Sequence, residues 1–113
     1  MRRARAEIAR VAALQRLMEE RSIETLLVTQ RENVRYLTGF TGSSGSVVLS
    51  SGRPMLVTDF RYQIQARAEA PEVRILVQKK DHFSAVKEAA QRLGADTLWF
   101  DDSSLTIDRA KSM

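Results

Sequence analysis

Cysteine is missing from this 113-residue chain, and histidine occurs once. The first absence excludes disulfides, thiolate metal sites and a cysteine nucleophile, and it fits a reducing compartment. The second leaves His82 as the only imidazole, so a serine triad or a histidine-based metal cluster has little to draw on. Aromatic residues make up 6% of the chain, and no strand-like run concentrates them as a base-stacking surface requires. No apolar run approaches the roughly 18 residues of a membrane-spanning helix. The N-terminal stretch MRRARAEIARVAAL opens with basic residues as a signal peptide does, but Glu7 and Arg10 interrupt any apolar segment. The net charge is +4, yet Arg and Lys are interleaved with Glu and Asp and form no basic block. The expectation is a soluble, cytoplasmic protein with neither nucleic-acid nor membrane partners.

What is present suits one globular domain. Hydrophobic residues make up 43% and charged residues 28%, near the globular norm, and the length suits one core rather than two. In the first segment Ile8, Val11, Leu14 and Met18 recur at helical spacing, with Leu17 beside them, and predict a helix over Arg3–Arg21. TLLVT (Thr25–Thr29) reads as a short buried strand. Arg31–Thr38 reads as a short helix, with Gly39 in the position of a left-handed cap. Gly45–Ser50 and Pro54–Thr58 read as strands joined by Ser51-Gly52-Arg53 in a hairpin. Phe60–Glu69 has helical character and stops before Pro71. Val73–Val77 reads as a strand. Asp81 caps a helix lined by Phe83, Val86, Ala90 and Leu93, which Gly94 ends. TLWF (Thr97–Phe100) is the last strand, and the tail from Asp101 onward reads as a loop and a helix start, with Leu105 and Ile107 lacking local partners. The order α β α β β α β α β predicts a mixed sheet covered by helices, an α/β domain.

The segment NVRYLTGFTGSSGSVVL (Asn33–Leu49) holds three of the five glycines and three serines between a helix and a strand. A phosphate cradle, a catalytic loop and a tight reversal are all conceivable. The glycine spacing matches neither G-x-G-x-x-G nor G-x-x-x-x-G-K-[ST], and these glycines follow a helix instead of opening one. No serine lies in a G-x-S-x-G elbow. His82, beside the cap Asp81, reads as a surface residue. Asp101-Asp102 ends a strand, where α/β proteins often place function, but no partner for the pair is evident. The residues by themselves assemble neither a catalytic set nor a metal site.

Two stretches resemble a known family. Asn33-Val34-Arg35-Tyr36-Leu37-Thr38-Gly39-Phe40-Thr41-Gly42-Ser43 looks like the N-terminal domain of the creatinase/prolidase family of Xaa-Pro aminopeptidases and Xaa-Pro dipeptidases. Thr58-Asp59-Phe60-Arg61-Tyr62, followed by Gln65-Ala66, is similar to the family's T-D-x-R-Y-x-x-Q-A stretch. The resemblance covers nearly the whole chain and implies a three-layer α/β domain, residues 1–113. Its mixed sheet would have five or six strands in ribonuclease-H-like topology. It also implies a C-terminal "pita-bread" metallopeptidase domain of the same polypeptide, absent from this chain, with two divalent ions, usually manganese or cobalt. The implied function is that of a non-catalytic N-terminal domain in a proline-specific metallopeptidase, with proline-containing peptides as substrate and a homodimer as assembly. Such a domain contributes to oligomer contacts and to the rim of the active site. The alternatives within the family are a non-peptidase peptide- or protein-binding module and the N-terminal domain of a creatinase-like amidinohydrolase. The rim residues implied are Tyr36, Phe40, Thr41, Ser43, Ser44, Arg61 and Tyr62, with loop 40–45 expected to be exposed. Asp59 has a plainer reading as the cap of the helix that follows it.

The 113-residue chain alone is expected to release no N-terminal residue from a dipeptide or a longer peptide with proline second, with or without manganese or cobalt. Metal-dependent release above a mock-purified control would contradict this.

Overall fold

A computed structural model of the protein describes residues 2–95 and 98–100. The helices are α1 (Arg2–Glu20), α2 (Arg31–Thr38), α3 (Gln63–Glu69) and α4 (His82–Arg92), and the strands are β1 (Leu26–Val28), β2 (Gly45–Leu49), β3 (Met55–Thr58), β4 (Arg74–Val77) and β5 (Trp99–Phe100). The four longer strands form the body of the sheet in the order β4-β3-β2-β1, and the two-residue β5 extends it beside β1. The expected five or six strands thus reduce to a four-strand body with this short extension. β2 pairs antiparallel with both β1 and β3, whereas β3–β4 and β1–β5 are parallel, so the sheet is mixed. The β2–β3 hairpin is present, in a register from Gly45↔Thr58 to Val48↔Met55. Thr97, Asp101-Asp102, Leu105 and Ile107 lie outside the described residues.

The near-continuous apolar strands follow from burial on both faces. Along β2, Val47 and Leu49 enter one core while Val48 enters the other; along β3, Leu56 enters the first and Met55 and Val57 the second. The first core takes Val11, Leu14 and Met18 of α1, Val34 and Leu37 of α2, Phe40, and Ala66 and Ala70 from α3 and its end. The second is capped by Ala85, Val86, Ala89 and Ala90 of α4. Helices therefore cover both faces of the sheet.

Local chemistry sets the helix ends. α1 stops in a Schellman arrangement. Ser22 is left-handed at φ 59°, the Ile23 N–H donates to Met18 O at 2.8 Å, and the Ser22 N–H donates to Glu19 O at 3.2 Å. The buried Ile23 and Met18 supply the apolar contact that accompanies this motif. Gly39 caps α2 at φ 85°, its N–H donating to Arg35 O. Asp81 caps α4 by accepting from the Ser84 N–H at 2.7 Å. The single helix expected over Phe60–Glu69 divides into a 3-10 turn, Phe60–Tyr62, and α3.

Side-chain placements are corrected as well. Phe83 does not line the buried face of α4 but is 76% exposed. His82 takes the first inward position instead, and Ala85 and Ala89 continue it alongside Val86 and Ala90. Ile8, expected on the packed stripe of α1, is half exposed at the rim of a groove. Phe40, expected in an exposed loop, has 0% of its surface accessible. Its ring packs edge-on against Tyr62, with centroids 5.8 Å apart and planes at 88°, a favoured aromatic geometry.

Phe40→Ala is therefore expected to destabilise the chain by about 3–5 kcal/mol, the usual cost of emptying a buried phenylalanine site. That is a large share of the roughly 5–15 kcal/mol that holds a domain folded. Urea denaturation measures it, and a loss below about 1 kcal/mol would return Phe40 to the surface.

Candidate functional site

The loop between α2 and β2 is built around the Phe40 ring. Thr38 starts the turn: its hydroxyl donates to Val34 O at 2.7 Å and accepts from the Phe40 N–H at 3.0 Å. The chain then passes back over the ring it has just buried. A Cβ at Gly42 would lie 2.3 Å from the tip of the Phe40 ring and 2.8 Å from Tyr62, and one at Gly45 would lie 2.8 Å from the same Phe40 ring. All three distances are below 3.0 Å, closer than real Cβ contacts come, so these two glycines are required for close approach. Gly39 is required for its left-handed φ. The glycines of the segment are thus accounted for by one cap and one ring.

The serines that follow are each tied to a different element. Ser43 Oγ and Tyr62 OH lie 2.6 Å apart. Ser44 O accepts from Thr58 Oγ1 at the end of β3. Ser46 Oγ lies 2.7 Å from His82 Nε2, while His82 Nδ1 lies 2.8 Å from Gln78 Oε1. Because the Gln78 carbonyl oxygen only accepts, Nδ1 carries the proton and Nε2 accepts from Ser46. The expectation that His82 lies on the surface is thereby corrected. The ring is half-buried between α4 and β2, and burial lowers its pKa despite the opposing field of Asp59. Thr41 is held from the other direction. Its N–H donates to Glu69 at 2.8 Å, its hydroxyl lies within 3.0 Å of both Glu69 oxygens, and its carbonyl accepts from Arg31 at 2.8 Å. Gln65 donates to the Thr41 hydroxyl and to Glu69.

Asp59 fills its structural role. It accepts from the Arg61 N–H at 2.9 Å and receives Arg61 Nε and Nη2 on its two oxygens at 3.1 and 2.8 Å. The Arg61 guanidinium is the main reason the Asp59 carboxyl sits below its ordinary pKa, and the same pairing raises that of Arg61. The guanidinium also stands over the Tyr62 ring, 5.4 Å from its centroid. The hydrogen bond with Ser43 lowers the Tyr62 pKa.

Of the seven residues implied as a rim, Ser43, Ser44, Arg61 and Tyr62 come together around Asp59 at the end of β3. Phe40 lies beneath them. Thr41 and Tyr36 line a separate cleft of about 480 Å³, which Glu7, Arg10 and Glu69 share. There Arg10 stacks 4.3 Å from the Tyr36 ring centroid and donates to Tyr36 O at 3.0 Å. Glu69, Arg31, Ser46 and Gln78 were missed as parts of the assembly. The one available signal was Gln65, which lies in the second motif one helical turn before Glu69. Among the described residues no group of three or more His, Asp or Glu is placed to hold a metal. None of their helices is long and apolar enough to cross a membrane.

Comparison with known proteins agrees with this architecture. The creatinase/prolidase N-terminal domain family matches residues 10–113. An uncharacterised peptidase of Bacillus subtilis, YqhT, is 33% identical over 93 residues, covering 82% of this chain and 26% of its own length. The solved Xaa-Pro dipeptidase of Bacillus anthracis superposes with a TM-score of 0.81 at 30% identity, over 88% of this chain and 28% of that one. The solved N-terminal domain of the cytoplasmic peptidase PepQ from Mycobacterium tuberculosis superposes with a TM-score of 0.76 at 28% identity, over 92% and 82%. The chain thus spans about a quarter of the length of the YqhT relative and of the dipeptidase chain.

The half-buried His82 predicts a pH dependence of stability. Its folded pKa lies below the ordinary 6.5, so the unfolded chain binds the proton more readily between the two values. Stability is therefore full above about pH 6.5, falls as pH drops toward the folded pKa, and levels off below it. Asp59 and Asp81, lowered from 3.8, act only at lower pH. Urea midpoints measured from pH 7.5 down to 5 should decline in the native chain and flatten in His82→Gln. Equal slopes in both would contradict the assignment.

Proposed function

We propose, from the premise that this chain belongs to the creatinase/prolidase N-terminal domain family, that it is the non-catalytic N-terminal domain of a proline-specific metallopeptidase and forms part of its active-site rim. The observation that carries this reading is the fixed cluster of Ser43, Tyr62, Arg61 and Asp59, mounted on the Phe40 ring at the end of the hairpin. A rim residue has to present polar groups at a constant place without taking part in bond cleavage. Here Ser43 and Tyr62 hold each other, and Arg61 is oriented by both Asp59 oxygens while 66% of its side chain stays exposed. Thr41, anchored by Glu69, and Tyr36, stacked under Arg10, extend the surface into the neighbouring cleft. Phe40 serves as the support and not as a contact.

The finer parts of the reading rest on family membership. They are the ribonuclease-H-like arrangement of the sheet, residues 1–113 as N-terminal domain, a pita-bread catalytic domain following in the same polypeptide, a homodimer and a cytoplasmic setting. The two divalent ions, manganese or cobalt, would be held by that catalytic domain. The described residues do not fit them, since no ligand cluster is present. No step of the hydrolysis is therefore assigned to this chain. Its residues bind, orient and enclose.

In the full-length protein, Ser43→Ala is expected to lower kcat/KM for a peptide with proline second by roughly 2- to 10-fold. This equals one net hydrogen bond of about 0.5–1.5 kcal/mol. The same change removes the exposed Ser43–Tyr62 hydrogen bond but leaves the Phe40 packing untouched, so the 1–113 chain should lose no more than about 1 kcal/mol of stability by urea denaturation. Unchanged turnover in an otherwise active full-length enzyme would remove Ser43 from the rim.

A further inference from the structure

α3 and the 3-10 turn before it turn their largest apolar side chains to solvent. The inward positions of α3 are small: Ala66 and, at its end, Ala70. The large apolar side chains of the segment face water, Phe60 at 76% and Ile64 at 84% exposure. Single exposed hydrophobics are ordinary. A phenylalanine and an isoleucine one turn apart, on a short segment whose buried face is alanine, are not accounted for by this domain's own core. Phe60 also shares its 3-10 turn with Arg61 and Tyr62, so the apolar patch adjoins the polar cluster directly.

We infer that the Phe60–Ile64 face is a docking surface for the part of the same polypeptide that follows residue 113. The inference rests on the reading given under Proposed function. Size argues for a tethered occupant. An aromatic side chain offers about 150–250 Å², and Phe60 with the smaller Ile64 falls well short of the roughly 800 Å² per partner of a free-standing interface. A covalently attached partner is present at high effective concentration and needs no larger patch. The relatives supply the material, since this chain spans only 26% and 28% of two of them. Charge defines the complementary surface. The exposed cations Arg61 and Arg67 flank Ile64 along the chain, so the partner face would be an apolar depression bordered by carboxylates or carbonyls. Seating it there would carry Arg61, Tyr62 and Ser43 to the junction.

Because this chain lacks cysteine, Ile64→Cys introduces a reporter thiol at an exposed site with little risk to the fold. Its alkylation by iodoacetamide, followed by peptide mapping, should be at least about tenfold slower in the full-length protein than in dilute 1–113. Lys87→Cys on α4 should react equally in both. Equal rates at position 64 overturn the docking surface, as does concentration-dependent slowing in 1–113 alone, which would assign the patch to a second copy. Xaa-Pro hydrolysis by the full-length protein is scored separately. Activity with an unshielded thiol removes the docking inference and leaves the peptidase reading standing. Shielding without activity does the reverse.

Discussion

The Phe40 ring requires two glycines above it, and the local path of the chain depends on that requirement. A ring buried immediately after a helix cap must be covered, and the covering here is the backbone of the next five residues. Any Cβ at position 42 or 45 would collide with it. Tyr62 closes the side of the ring edge-on, bringing the turn after β3 against the loop before β2. The hairpin register, with Gly45 opposite Thr58, and the ring contact therefore reinforce one another.

Once the backbone is laid over the ring, short side chains suffice to fasten it. Each hydroxyl or carbonyl of the loop meets a group from a different element: Tyr62 after β3, Thr58 within it, His82 on α4, Glu69 on α3. Such ties contribute modestly one by one. Together they leave the loop few alternative positions, which is what a surface with a positioning role needs. The Asp59–Arg61 pair adds a charge-assisted fork, and it orients the guanidinium against Tyr62.

The two faces of the sheet are used differently. The face under α1, α2 and Phe40 is filled by large side chains, whereas α4 approaches the other face mainly through alanines and Val86. Close approach of α4 is what allows His82 to reach Ser46. α3 also approaches through alanines, and like α4 with Phe83 it turns a large apolar side chain, Ile64, outward; beside Ile64 the preceding 3-10 turn exposes a second, Phe60.

Much was legible in the sequence, because it depends on neighbours in the chain. Hydrophobic period, the caps at Gly39, Asp59 and Asp81, the hairpin between Gly45 and Thr58, and the two stretches that mark the family all act within a few residues. They determined the order of elements, the mixed sheet and the family. What only the tertiary structure decided involves residues far apart: Thr41 with Glu69 at a separation of 28, and Ser46 with His82 at 36. Phe40 sat in a stretch rich in glycine and serine that reads as exposed loop, and its burial depended on Tyr62 and the rest of the first core closing around it. Phe83 satisfied the helical period of α4, yet the inward place went to His82, because a hydrogen-bonding partner waited on β2. Periodicity tells which residues share a face, but the packing of other elements decides which way that face turns.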